Sequence, residues 1–156
     1  MERIDQPAPD GIMLRWGGDD GEGIGRLTVS ASANGFAGRS SAWFDRAAVI
    51  AFARAMGAYP LPDEEIMISG GFGAQNDNPP QEHVGIGVSP VGALGQVGMR
   101  VHLATPVWDP SDGESRHEVS VRLLTTYEHL RRFSEQLVRL VAGDLDLVQI
   151  CGDTLA

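Results

Sequence analysis

The sequence predicts an α+β domain: one antiparallel-rich sheet of six to eight strands with two helices packed on one face. Three observations predict it. Short segments alternate apolar residues with polar or small ones at period two, as half-buried strands do. Two longer segments carry apolar residues at three- and four-residue spacing, as amphipathic helices do. The elements also follow the order strand, strand, strand, helix, strand, twice over. Two such helices can cover one face of a sheet that would otherwise stay wet.

Residues 1–10, MERIDQPAPD, read as a flexible lead-in, and the domain as 11–156. The first apolar segment is Gly11 to Trp16, followed by the turn-forming run GGDDGEG over 17–23,. Leu27, Val29, Ala31 and Ala33 then alternate with Thr28, Ser30 and Ser32. Asn34-Gly35 is a strong hairpin signal, so Phe36 to Phe44 returns as a third strand. Asp45 is placed to cap a helix whose stripe is Val49, Ile50, Phe52, Ala53 and Met56,. Gly57, Pro60 and Pro62 end it near Met56. Ile66 to Ile68 is a short strand, and Gly70 to Gln81 a long loop between halves 11–69 and 82–151.

The second half reads the same way. Val84, Ile86 and Val88 alternate with glycine and serine, Pro90 to Gln96 is a turn, and Val97 to Thr105 is a strand. Trp108 to Ser115 is a loop, and Val119, Val121 and Leu123 mark the next strand. Thr125 and Glu128 have capping-box spacing before a helix from about Thr126 to Ala142, with Leu130, Phe133, Leu137, Leu140 and Val141 as its core face,. Leu145 to Cys151 is a final strand. Laying Phe52 on Phe133 without gaps puts Asp45 on Thr126, Val49 on Leu130 and Met56 on Leu137. Apolar meets apolar and cap meets cap, which suggests an internal βββαβ duplication.

Composition bounds the function. The net charge is −9, with 12 arginines and no lysine, so chemistry needing a lysine amine is excluded,. The acidic excess is even along the chain: 6 Arg against 11 Asp+Glu over residues 1–78, and 6 against 10 over 79–156. That field disfavours nucleic acid and favours a basic partner. No apolar run suits a membrane helix. A lone Cys151 and the lack of a signal-like N-terminus place the chain in the cytoplasm, with Cys151 read as a small buried hydrophobe.

No strong catalytic motif emerges, and the expectation is of no enzyme, no cofactor and no metal. Gly70-Gly71-Phe72-Gly73 lacks the lysine of a phosphate-binding loop. Asp19, Asp20 and Glu22 form an acidic turn without the ligand order of a calcium loop. Ser40, Ser41 and Ser111 have no positioned base, and Asp63, Glu64 and Glu65 read as a solvated loop. The four histidines, His83, His102, His117 and His129, form no ligand motif and read as exposed. His102 and His117 on neighbouring strands, with Glu82 or Glu118, are the one arrangement that metal chemistry would need; in-and-out alternation sets Glu118 apart from His117. Trp43 reads as a core anchor where strand passes into helix. Trp108 reads as packed over the sheet end, with a binding role as the less favoured option.

Over roughly residues 25–141 the element order and apolar spacing resemble the WapI-type immunity proteins of bacterial polymorphic toxin systems. The matching residues are Trp43, Phe44, Val49, Phe52 and Met56, then Gly98 to Leu103, then Val119 to Leu124 running into Tyr127, Leu130, Phe133 and Leu137. Leu145 to Cys151 departs from the pattern. The resemblance implies a non-catalytic protein that neutralises a toxin domain. It carries over no site residues, so the partner-binding surface stays unassigned. Self-association through a strand edge, and a small-ligand or regulatory domain using a cleft near the 70–81 loop, are the other readings.

Overall fold

The computed structural model describes residues 10–72, 81–108 and 116–154. The lead-in, most of the 70–81 loop and the loop holding Ser111 lie outside the described residues. The chain opens with three antiparallel strands, β1 (Gly11–Gly17), β2 (Ile24–Ala33) and β3 (Phe36–Asp45). Asn34 and Gly35 turn the β2–β3 hairpin with φ of 53° and 85°; two left-handed residues give a turn whose twist matches its strands. The Asp45 carboxylate accepts from the Ala47 amide at 3.0 Å and starts α1 (Arg46–Met56). Next come β4 (Ile66–Phe72), β5 (Gln81–Val91), β6 (Gln96–Ala104), β7 (Glu118–Thr126), α2 (Tyr127–Val141), β8 (Val148–Cys151) and the two-residue β9 (Asp153–Thr154).

Thr126, rather than Thr125, caps α2 and accepts from the His129 amide. Glu128 therefore sits too early to reach back to the cap, and pairs with Arg131 and Arg132 on the helix surface instead. The predicted capping box is not formed.

The strands form two antiparallel sheets, not one. The first has the order β3-β2-β1-β8 and the second β4-β5-β6-β7-β9. Each half's closing strand has crossed to the other half: β8 pairs with β1, and β4 with β5. Period-two patterning shows which residues face inward but not which strand is the neighbour, so the sequence could not separate these arrangements. Two sheets also solve the covering problem better. Helices of 11 and 15 residues are only about 16 and 22 Å long, too little for eight strands in one layer,. Instead each inner sheet face helps cover the other. β3 contacts β4, β5, β6 and β7, while α1 packs on α2, β3 and β4, and α2 packs on β1, β7 and β8.

Residues 81 positions apart in the chain meet at two places. A Cβ on Gly38 would lie 2.5 Å from a Val119 methyl, so β3 and β7 cross there. The buried Ser134 hydroxyl donates to the Ala53 carbonyl, so α1 and α2 touch through their smallest residues. Phe52 and Phe133 are both buried, as are Val49, Met56, Leu130, Leu137 and Val141, in one cluster shared by both sheets and both helices.

Candidate functional site

The outward face of the second sheet is polar, and a bulge shapes it. Gly70 pairs with Val84 and Gly71 with Glu82, which leaves His83 without a partner. A bulge residue reverses the in-and-out alternation beyond it. Strict alternation would put His83 outside and Glu82 in the core. The bulge buries His83 at 3% exposure and swings Glu82 outward over Gly85, where a Cβ would lie 2.4 Å from its carboxylate. Gly87 is covered in the same way by Glu65.

A chain of ionic and hydrogen-bonded groups crosses this face. The Ser69 hydroxyl donates to Glu82 at 2.5 Å. His102 Nδ1 lies 2.8 Å from Glu82 and its Nε2 3.2 Å from Glu118, which in turn sits 3.5 Å from Arg116. Burial pushes the Glu82 carboxyl up, but Ser69 and His102 together outweigh it and hold the group below 4.5. Arg100 grips Glu65 through two hydrogen bonds, at 2.8 and 3.0 Å, and keeps that carboxyl low as well.

At the edge of this face the two sheets meet. Gly70 lies against the Phe44 ring, where a Cβ would come within 2.5 Å, so glycine permits the seam between β3 and β4. Above the seam is a cleft of about 410 Å³ lined by Trp43, Ser69, Gly71, Phe72, Gln81 and Glu82. Trp43 is 57% exposed. Phe72 stands with its ring 4.6 Å from His83 and 4.8 Å from Trp108. The Gln81 amide secures the end of the cleft: it donates to the Val107 carbonyl at 2.8 Å, accepts from the Val107 amide at 2.9 Å, and holds His83 Nε2 at 3.0 Å.

Several sequence expectations are corrected here. Trp43 is not a core anchor: Ala42 and Phe44 face inward, so alternation sends the residue between them out,. That alternation was the signal that could have found it. Trp108 is 80% exposed, touching Phe72 at its edge rather than burying itself over the sheet end. Cys151 is exposed, on the outward side of β8 opposite Gly11. His102 is largely covered by its two carboxylate neighbours rather than exposed, and His83 is buried. His102 and His117 do not come together. His102 pairs with Ser120, while the His117 backbone pairs with Thr105 further along. Glu118, the residue that alternation separates from His117, is the one that shares the outward face with His102.

The hydroxyl, imidazole and carboxylates of this face are not arranged as a nucleophilic triad. In a nucleophilic triad the hydroxyl bonds to the imidazole. Here Ser69 bonds to the Glu82 carboxylate instead, and the imidazole lies between two carboxylates, so the hydroxyl–imidazole contact of a triad is not made. A neutral imidazole can donate to one of those carboxylates and an imidazolium to both. Among the described residues no group of three or more His, Cys, Asp or Glu has a metal-binding arrangement, and no helix is long and apolar enough to cross a membrane. No protein-family model matches the chain, and neither does any curated protein or solved structure.

Proposed function

We propose that this chain is a non-catalytic binding protein whose partner is a basic protein, in the manner of an immunity protein that occupies a toxin domain. The exposed Trp43 indole, set beside the Glu82 carboxylate over a glycine floor, carries this reading. A partner's arginine or lysine can lie on the indole face and reach the carboxylate, and such exposed tryptophans dominate binding energies. The net charge of −9 adds long-range attraction,.

The test is co-expression with the products of adjacent genes, scoring copurification and growth rescue. With a partner in hand, Trp43→Ala should cost about 2 kcal/mol or more of binding. Glu82→Gln should slow association and flatten its dependence on salt. A partner that binds both variants like the wild type would refute the seam as the docking surface. The same cleft has a volume in the range of small-ligand sites, which favours a ligand-binding domain as the second reading,. A small molecule held by the purified protein, with no protein partner, would support that one.

We also read 11–69 and 82–151 as copies of one βββαβ unit. The shared offset of caps and core positions supports this, as do the two contacts of equivalent residues with each other.

A further inference from the structure

The outward face of the first sheet has the opposite character. Strand register places Met13, Ser30 and Arg39 in one outward row, Arg15, Thr28 and Ser41 in the next, and Gly17, Arg26 and Trp43 in the third. Arg15, Arg26 and Arg39 are exposed. Among the described residues none of the three has a carboxylate partner, whereas Arg46, Arg100, Arg116, Arg131 and Arg132 are each ion-paired. The even acidity of the chain is thus not evenness of the surface: a protein of net charge −9 keeps one sheet face cationic.

Two of these arginines line a cleft of about 470 Å³ together with Trp16, Thr28 and Trp43, over the bare backbone of Gly17 and Gly18. We propose that this cleft binds a small organic anion of the nucleotide type, its phosphate on Arg15, Arg26 and Thr28 and its planar ring on Trp43. Arg15 and Arg26 are diagonal neighbours across β1 and β2, a separation of about 7–8 Å that lets two guanidiniums converge on one phosphate,. Thr28 is directly opposite Arg15 and two residues from Arg26 on the same face of β2. Trp43 is directly opposite Arg26, and a Cβ on Gly18 would lie 3.1 Å from the edge of its ring and 4.0 Å from Arg26 Cβ, so the indole and the root of the arginine side chain flank one glycine. A flat ring on an indole is favourable whatever its edge groups.

The flanks limit the ligand's size. Asp19, Asp20 and Glu22 occupy the β1–β2 turn at one end, and Glu82 lies across Trp43 at the other. A polyanion running past the cleft would have to pass these carboxylates on both sides, whereas a mononucleotide need only occupy the space between them. The proposal shares Trp43 with the protein-partner reading but does not rest on it, since its phosphate contacts are Arg15 and Arg26, which that reading leaves out.

The experiment is titration of the purified full chain, followed by tryptophan fluorescence and calorimetry, with AMP, ADP, adenosine, inorganic phosphate and a short single-stranded RNA. A mononucleotide should saturate the protein with a Kd below about 1 mM and quench its fluorescence. Adenosine and phosphate should each bind at least about tenfold more weakly, because each keeps half of the contacts. Arg15→Gln and Arg26→Gln should each lower affinity about tenfold or more. Trp43→Leu should remove the quench, and Arg39→Gln, outside the cleft, should change nothing. All four side chains are exposed, and circular dichroism of the variants checks their fold. No saturation by either nucleotide, equal binding of phosphate alone, or unchanged affinity in both arginine variants would overturn the proposal. RNA binding tighter than the mononucleotides would overturn it in favour of a nucleic-acid surface. Loss of partner binding through Glu82→Gln would leave it standing, so the two readings fail separately.

Discussion

His83 shows how one residue sets the chemistry around it. The bulge drives its imidazole inward against Phe72, with Nε2 on the Gln81 amide oxygen. Burial disfavours the imidazolium and nearby Arg116 adds to this, so the folded value lies below 6.5. The sign follows from linkage. Below 6.5 the unfolded chain binds a proton that the folded chain does not, so His83's contribution is complete above 6.5 and is lost as pH falls through the folded value,. Glu82 acts in the same direction but later: its contribution is present above 4.5 and is lost as pH falls through its own depressed folded value. Urea denaturation should therefore show lower stability at about pH 5.5 than at about pH 7.5. His83→Gln should flatten that step, whatever it does to absolute stability. A wild-type midpoint unchanged over this interval would contradict the buried neutral histidine.

At the scale of elements, the contact between α1 and α2 is set by Ser134. Its hydroxyl donates to the Ala53 carbonyl, and a Cβ on Gly57 would come within 2.6 Å of it. Ala53, Gly57 and Ser134 together let the helices approach closely here. Ser134→Ala should cost about 1 kcal/mol, the usual worth of one hydrogen bond. Ser134→Leu should cost more, about 1–3 kcal/mol, because extra volume there must push the helices apart. Chemical denaturation of both variants checks the order, and a leucine variant as stable as the wild type would show that the helices are not packed here. Both helices were legible in the sequence, since Val49, Phe52 and Met56 and then Leu130, Phe133 and Leu137 repeat at helical spacing, and all six are buried. The strand expected over Leu145–Cys151 was legible in its second half, with Val148 and Ile150 inward as alternation requires, but it starts only at Val148 and β9 follows it.

At the scale of the whole molecule the exchange of β4 and β8 makes the halves interdependent. Cut apart, residues 1–78 would leave β1 without β8, and residues 79–156 would leave β5 without β4. Each fragment would expose a sheet edge and half of a shared core, a combination that aggregates or stays unfolded. Neither fragment alone should show a cooperative thermal transition, and co-expressing them should restore one together with a complex of the intact protein's size. A single half that folds as a monomer would show that the exchange is dispensable. The same exchange creates the candidate site. It brings β4 under β3, and so sets Glu82 of the second half beside Trp43 of the first.

The sequence by itself determined what is local: the centres of eight strands, both helices and their ends to within a residue, the Asn34-Gly35 turn and the inward faces. These follow from period, propensity and cap chemistry, which neighbouring residues decide among themselves. The sequence missed β9, and it ended β4 at Ile68 where the strand runs on through Phe72, inside the stretch read as a loop. Tertiary structure alone decided which strands pair, and therefore that there are two sheets and a seam. It also decided the bulge that exchanges the positions of His83 and Glu82, and the gathering of Arg15, Arg26 and Arg39 on one face of an acidic protein. Hydrogen-bonding edges are chemically alike from strand to strand, so the choice of partner rests on the packing of the complete core, which no window of sequence contains.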